Sequence, residues 1–380
     1  MDRTAFGMRF LLVVPPLAGH IAPLRGVAAE LSSRGHEVAW CGPSPEVSAL
    51  VPGKVFAAGD SRPFSVALRP PELRGFAALK YLWESYLVPL ADAMVPGVQF
   101  AVDAFRPDVV VADQQALAGA LVAARGGLPW ATSASTSTEL ADPLASMPRI
   151  ASWVTGLQTR LCARHGARVA DLRFSPHLVL AFTTRALAGQ ARVAAPVCYV
   201  GPILPPASNG SARSFVDTRP LVVVTLGTSN ASAGQRFLAE SVAALAGMPD
   251  VQGLVVDPTG TLESEEVALA WRIPQVEVFA QASVVVCHGG HNTVCEALAA
   301  GLPLVLAPIR DDQSMLAQQV VAAQAGVRLR FDRARAADIR DAIESAPKYR
   351  EGAERIGASF AAAGGAPEAA ARLEGLGSAG

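Results

Sequence analysis

The stretch VVVCHGGHNTVCEALAAGLPLVLAPIRDDQ, residues 284–313, runs apolar, then small and helix-forming, then apolar again. That order is strand, helix, strand, the unit from which parallel α/β sheets are built. Its polar residues are not scattered along it. Two histidines, two glycines and an asparagine collect at 288–292, where the first strand gives way, and Asp312 with Gln313 follow the second. Strand ends of this kind are where open parallel sheets hold ligands.

The same unit recurs on both sides. MRFLLVV (8–14) passes through a Gly/Pro turn into PLRGVAAELSSRG, whose Leu24, Val27, Ala28 and Leu31 fall at helical spacing, and returns as EVAWCG. Short apolar runs at KVFAAG, DVVVAD, PWATSAS and LVLAF continue the first half; LVVVTLG, QGLVVD, VEVFA, VVVCHGG, LPLVLAPI and VRLRF read as strands of the second. A mostly parallel sheet covered on both faces is expected in each half. A chain of 380 residues also exceeds what one core usually organises. The expected division is 1–203 as an N-terminal domain and 204–220, rich in Pro, Ser, Asn and Gly, as linker. Residues 221–350 form a C-terminal domain, and 351–380 a helix packing back toward the first.

Composition narrows the partners. The hydrophobic share of 51% against 17% charged residues is that of a well-buried protein, and a net charge of −1 gives no footprint for nucleic acid or an anionic membrane. A small, partly apolar partner fits better; a homodimer stays open. The five cysteines are odd in number, without a CxxC pair or a zinc-type cluster, which fits a reducing cytoplasm. Pro15, Pro16 and Gly19 break the run FLLVVPPLAGHIAPL, so it reads as a buried strand rather than a leader. No other segment approaches the roughly 18 uninterrupted apolar residues of a membrane span, so no integral membrane segment is expected.

At 288–296 the residue types suit an anion. A helix starting near His291 or Asn292 leaves backbone N–H groups unpaired at its positive end. Gly289 and Gly290 permit close approach, Asn292 and Thr293 add donors, and His288 can offer an imidazole N–H. Glu296 is a carboxylate at a distance suited to a ribose diol. Taken singly, each residue is equally well explained as a cap or a turn former.

Taken together they resemble the nucleotide-sugar-dependent glycosyltransferases of the two-domain GT-B fold, the family of bacterial natural-product and plant small-molecule enzymes. Its signature is matched by His288, Gly290, Asn292, Thr293 and Glu296, then Pro308, Asp312 and Gln313, with the same spacing. The resemblance implies two Rossmann-like α/β/α domains facing across a cleft. It implies that His288, Asn292 and Thr293 bind the diphosphate, Glu296 the ribose, and Asp312 with Gln313 the sugar hydroxyls. IPQVEVF looks like the nucleobase loop, with Gln275 on ribose or base; Arg272 stands where a Trp is usual, and Trp271 lies one position early. Gly227 and Thr228 of VTLGTS match the loop that approaches the β-phosphate.

His20 follows Gly19 after the first strand, in a Gly-His-x-x-Pro pattern completed by Pro23. Imidazole has an ordinary pKa near 6.5, so a neutral His20 can take a proton from an acceptor hydroxyl. Asp113, at the end of DVVVAD, matches the family's partner to that histidine. Asp108 begins the same strand at its other end and is expected to be remote, while His36, in an RGH turn, reads as structural and His165 and His177 as ordinary. The implied reaction is direct displacement with inversion from a UDP- or dTDP-sugar to a hydrophobic small molecule. No cofactor is implied, and with no Asp-x-Asp motif no metal is required. Phe64, Phe76, Tyr81, Trp83 and Tyr86 either line an acceptor pocket or form the buried face of helices, and 135–143 adds polar contacts. The donor sugar stays open. A nicotinamide-dependent oxidoreductase needs a GxGxxG that neither half has; a sugar-nucleotide epimerase and a non-catalytic carrier of an apolar ligand are the remaining alternatives.

Overall fold

The computed structural model describes residues 7–65, 68–70, 73–205, 218–227, 234–310 and 312–378. Thr228 and residues 206–217 of the expected linker lie outside them. The chain divides into two compact units: Met1–Phe182 with Gln190–Ile203 and Ala363–Gly380, and Thr183–Gly189 with Leu204–Ala362.

The first unit holds a seven-stranded sheet of β1 (Arg9–Val13), β2 (Glu37–Ser44), β3 (Lys54–Asp60), β4 (Val109–Asp113), β5 (Trp130–Ala134), β6 (Val179–Ala181) and β7 (Val197–Tyr199), in the order β3-β2-β1-β4-β5-β6-β7. Every pairing in it is parallel. Successive side chains of a strand point to opposite faces, and β1 shows the consequence. Phe10 and Leu12 pack with Leu24, Val27 and Leu31 of the helix Ala18–Ser33 and with Ala369, Ala370 and Leu373 of the helix Gly365–Ser378. Leu11 and Val13 pack on the other side, with Leu90, Met94, Val98 and Leu121.

The second unit holds β8 (Leu221–Thr225), β9 (Gln252–Val256), β10 (Ala268–Ala270), β11 (Ala282–Cys287), β12 (Leu304–Leu306) and β13 (Gly326–Arg328), in the order β10-β9-β8-β11-β12-β13, again parallel throughout. Val223, Val285 and Cys287 meet Val294, Leu298 and Phe360 on one face, and Val222, Val224 and Val286 meet Phe237, Leu245 and Ile339 on the other.

The structure corrects three expectations. VEVFA is not a strand: Gln275–Phe279 is a short helix entered from Pro274, with Val278 and Phe279 buried. A strand in this part of the chain is instead Ala268–Ala270. The helix expected from 351 is two helices: Arg350–Ala362 places Ile356 and Phe360 in the second unit's core, and only Gly365–Ser378 belongs to the first. His20 is not in a turn but in the first turn of the helix Ala18–Ser33, whose N-cap is Leu17. By length and composition a further segment, Gly75–Phe105 (mean hydropathy 1.2), is long and apolar enough to cross a membrane. Its Leu90, Met94, Val98 and Phe105 lie in the first unit's core, which makes it a core helix.

Candidate active site

Both sheets reverse their strand order beside their first strand, between β1 and β4 and between β8 and β11. Such reversal points open a crevice at the carboxyl ends of the strands. The polar residues singled out from the sequence collect at these two places.

In the first unit three neighbouring strands each present one side chain. His20 follows β1, with the N–H groups of His20 and Ile21 both on the Leu17 carbonyl at 3.0 and 3.1 Å. Asp113 ends β4, and Ser135 comes directly after β5. His20 Nδ1 lies 2.9 Å from Asp113 Oδ1, which also accepts the Gln115 N–H at 2.9 Å. Ser135 Oγ donates to Asp113 Oδ2 at 2.8 Å and sits 2.7 Å from His20 Nδ1. A carboxylate only accepts, and the hydroxyl has already given its single proton to it. Nδ1 therefore carries the ring proton, shared between Asp113 Oδ1 and Ser135 Oγ, and the basic lone pair is on Nε2. Asp113 is wholly buried and the imidazole about 12% exposed. Sequence reasoning did not find Ser135 in this role; it lay inside 135–143, read as acceptor contacts.

In the second unit the site is mostly backbone. β11 ends at Cys287, and Gly289, at φ +82°, turns the chain where an L side chain is strained and a Cβ would come within 3.3 Å of the Gln313 carbonyl oxygen. Gly290 is the N-cap of the helix His291–Ala299, and no side chain caps that end. The N–H groups of Asn292 and Thr293, in the first turn, therefore receive no bond from an N-cap side chain. The His288 ring is packed between glycines: a Cβ on Gly227 would lie 3.0 Å from its Cε1, and one on Gly290 would strike its Nε2. Burial, reinforced by the Arg310 charge and opposed by a backbone hydrogen bond to Thr225, pushes the His288 pKa down to about 4. The ring is neutral near pH 7, and its buried Nδ1 has no hydrogen-bond partner. Buried polar atoms are seldom left so.

Along that helix Gln275 Nε2 donates to Glu296 Oε2 at 2.7 Å and to Thr293 Oγ1 at 3.2 Å. Burial raises the Glu296 pKa, an effect the Gln275 bond partly offsets. Asn292 is partly exposed. Gln313 is buried and its Oε1 accepts the N–H groups of Ile309 and Arg310 at 2.8 and 3.0 Å, so its amide nitrogen is the end left for a ligand. Asp312 stands at the N-cap of the helix Gln313–Ala322. Arg272 is exposed and Trp271 is 70% exposed, so neither is packed into the unit.

The remaining histidines are elsewhere. His36 accepts the Met8 N–H at Nδ1 and donates from Nε2 to Glu374, and His165 bonds Asp92 at 2.7 Å. His177 is exposed. Asp108 accepts the Arg9 N–H at the amino end of β4, opposite Asp113. Of the aromatic residues between 60 and 100, Trp83 is core and Phe76 is exposed. Phe64 meets the half-buried Tyr86 edge-on at 6.0 Å, within a π-helical segment Tyr81–Leu87.

Residues 259–376 match the family described as erythromycin biosynthesis protein CIII-like, C-terminal domain. Over 97% of its length the chain is 29% identical to the whole of 4'-demethylrebeccamycin synthase from Lentzea aerocolonigenes. Among solved structures it resembles the calicheamicin glycosyltransferase CalG4 (TM-score 0.79, 23% identity, 97% of this chain and 98% of that one). It also resembles the spinosyn rhamnosyltransferase SpnG complexed with thymidine diphosphate (TM-score 0.75, 22% identity, 97% of this chain and all of that one).

Proposed function

From a chain that belongs to the GT-B glycosyltransferases, we propose the following reaction: transfer of a sugar, with inversion, from a UDP- or dTDP-sugar to a hydroxyl of an apolar natural product. His20 is the catalytic base. The observation that carries this reading is the oriented His20–Asp113 pair, with Nδ1 protonated and Nε2 basic.

The steps follow from the two sites. His20 Nε2 takes the proton of the acceptor hydroxyl as its oxygen forms a bond to the anomeric carbon. The imidazolium so formed is stabilised by Asp113, whose charge is held by two further donors, Gln115 N–H and Ser135 O–H. The bond from the anomeric carbon to the diphosphate oxygen breaks on the opposite face, which inverts the configuration. Its electron pair leaves with the nucleoside diphosphate. That charge is met by the uncapped N–H groups of the helix His291–Ala299 and by the donors of Asn292 and Thr293. His288, whose ring is packed beside this helix start, is assigned to the diphosphate as well.

Gln275 and Glu296, already bonded to one another, are assigned to the ribose and base, and Asp312 with the Gln313 amide nitrogen to the sugar. Gly227, Gly289 and Gly290 keep the diphosphate site open. No metal has a part in this mechanism. Tyr86 is assigned to the acceptor: its phenol oxygen is buried without a hydrogen-bond partner, and burial, with the Asp113 charge beside it, raises its pKa. The five cysteines, all free thiols, fit a reducing cytoplasm.

The thymidine diphosphate complex of the spinosyn enzyme and the natural-product name of the Lentzea relative support the choice of donor and acceptor class. The test is a mass-spectrometric screen of UDP- and dTDP-hexoses against polycyclic phenolic acceptors. Glycosylated product is expected from wild type and about 1000-fold less from His20→Ala. Nucleotide released without any acceptor, or full activity of His20→Ala, would overturn the reading.

A further inference from the structure

We infer that Ser135 is a positioning residue for the base: its hydroxyl fixes the tautomer of His20 and raises the basicity of Nε2. The inference rests on His20 being the base. Ser135 is 2% exposed, and its oxygen is shared between the two members of the pair, 2.7 Å from Nδ1 and 2.8 Å from Asp113 Oδ2.

Two other buried serines of this chain donate to main-chain carbonyls. Ser175 Oγ donates to the Trp130 carbonyl and Ser241 Oγ to the Phe237 carbonyl one turn back. Either arrangement satisfies a hydroxyl without any functional residue. Ser135 instead spans the second carboxylate oxygen and the ring nitrogen, which lie 93 positions apart in the chain.

The orientation has a definite electrostatic sign. The hydroxyl hydrogen points at the carboxylate and the oxygen at the ring, so the negative end of its dipole is the end nearer the imidazole. A buried dipole acts in a medium that screens it weakly. It therefore stabilises the imidazolium, which makes neutral His20 a stronger base, and it closes off the alternative tautomer. With Nε2 protonated instead, Nδ1 would present a lone pair to both Oδ1 and Oγ.

The experiment uses the full chain labelled with 15N-histidine and needs no substrate. Long-range 1H–15N spectra are recorded from about pH 5 to 9, a window that brackets the ordinary histidine value. His20→Ala identifies the His20 signals among the six histidines. Wild type is expected to show the Nδ1–H tautomer. Ser135→Ala is expected to lower the His20 pKa by roughly 1 to 2 units and to mix the tautomers, as loss of a hydrogen bond to a charged group predicts. Ser135→Thr, which keeps the hydroxyl, is expected to restore both. An Nε2–H tautomer in wild type overturns the inference even if no variant folds. So does a Ser135→Ala protein that titrates like wild type, or a Ser135→Thr protein that behaves like Ser135→Ala. TDP release from dTDP-glucose with the phenolic acceptors separates the two levels. If His20→Ala turns over at the wild-type rate, the assignment of the base fails whatever Ser135 does; if only the Ser135 titration is unmoved, the base stands and this role falls.

Discussion

The two units place their polar residues at the same topological address and build opposite things there. At the β1/β4 reversal the parts we assign to the reaction are side chains, His20, Asp113 and Ser135, each fixed by the end of a different strand or by the helix that follows it. At the β8/β11 reversal they are mainly main-chain N–H groups, with Gly227, Gly289 and Gly290 keeping side chains out of the way. Handling a proton requires a group that titrates and a partner that dictates which atom holds the hydrogen. Holding a diphosphate requires many weak donors and room, which a bare helix start supplies.

That contrast can be broken from either side. The largest effect is expected in the first unit: His20→Ala should lower kcat by about 1000-fold, within the range for loss of a general base, while TDP binding measured by calorimetry stays unchanged. A parallel loss of nucleotide affinity would mean that the division of labour is wrong. Next comes Gly290→Val. Its side chain would collide with the His288 ring, and overpacking of this kind should weaken TDP binding by about 10- to 100-fold. The titration of His20 should be unaffected.

A smaller effect concerns pH. His288 has its folded pKa pushed down to about 4, below the ordinary 6.5, so between those values the unfolded chain binds the proton and the folded unit does not. The stability tied to the neutral ring is fully present above about pH 6.5 and is lost as pH falls toward 4, a change on the order of 3 kcal/mol. Urea unfolding at pH 7 and pH 4.5 measures it, and His288→Asn should flatten the acid side. An equally steep slope in that variant would assign the effect to other groups. The smallest expected effect is none: excess EDTA should leave turnover unchanged, and activity that dies with chelator and returns with magnesium would contradict the metal-free assignment.

How much of this is legible in the sequence depends on how far apart the cooperating residues lie. Residues 288–296 sit on one strand end and one helix, so their spacing alone brings them together, and their placement at the β11 carboxyl end follows from the apolar run before them. Ser135 is different. It meets His20 across 115 positions, through parallel pairing of β1 with β4 and β4 with β5, and no local pattern marks a serine after a strand as anything but a loop residue. VEVFA was misread for a local reason. Alternating Val, Glu, Val, Phe has the period of a strand, yet Pro274 starts a helical turn there, whose first side chain is tied to Glu296. The boundary at 351 failed because an Ala- and Glu-rich composition says helix without saying which core the helix joins.

That last point bears on recombining this enzyme with its relatives. Ala369, Ala370 and Leu373 are core residues of the first unit although they come from the end of the chain. A chimera that imports everything after residue 204 from another member would graft a foreign helix onto the native N-terminal sheet and leave Phe10 and Leu12 facing mismatched shapes. Exchanging 204–362 together with 183–189, whose Leu187 lies in the second unit's core, and retaining the parental tail, keeps each hydrophobic interior of one origin; on the proposed reading it changes which nucleotide sugar is received.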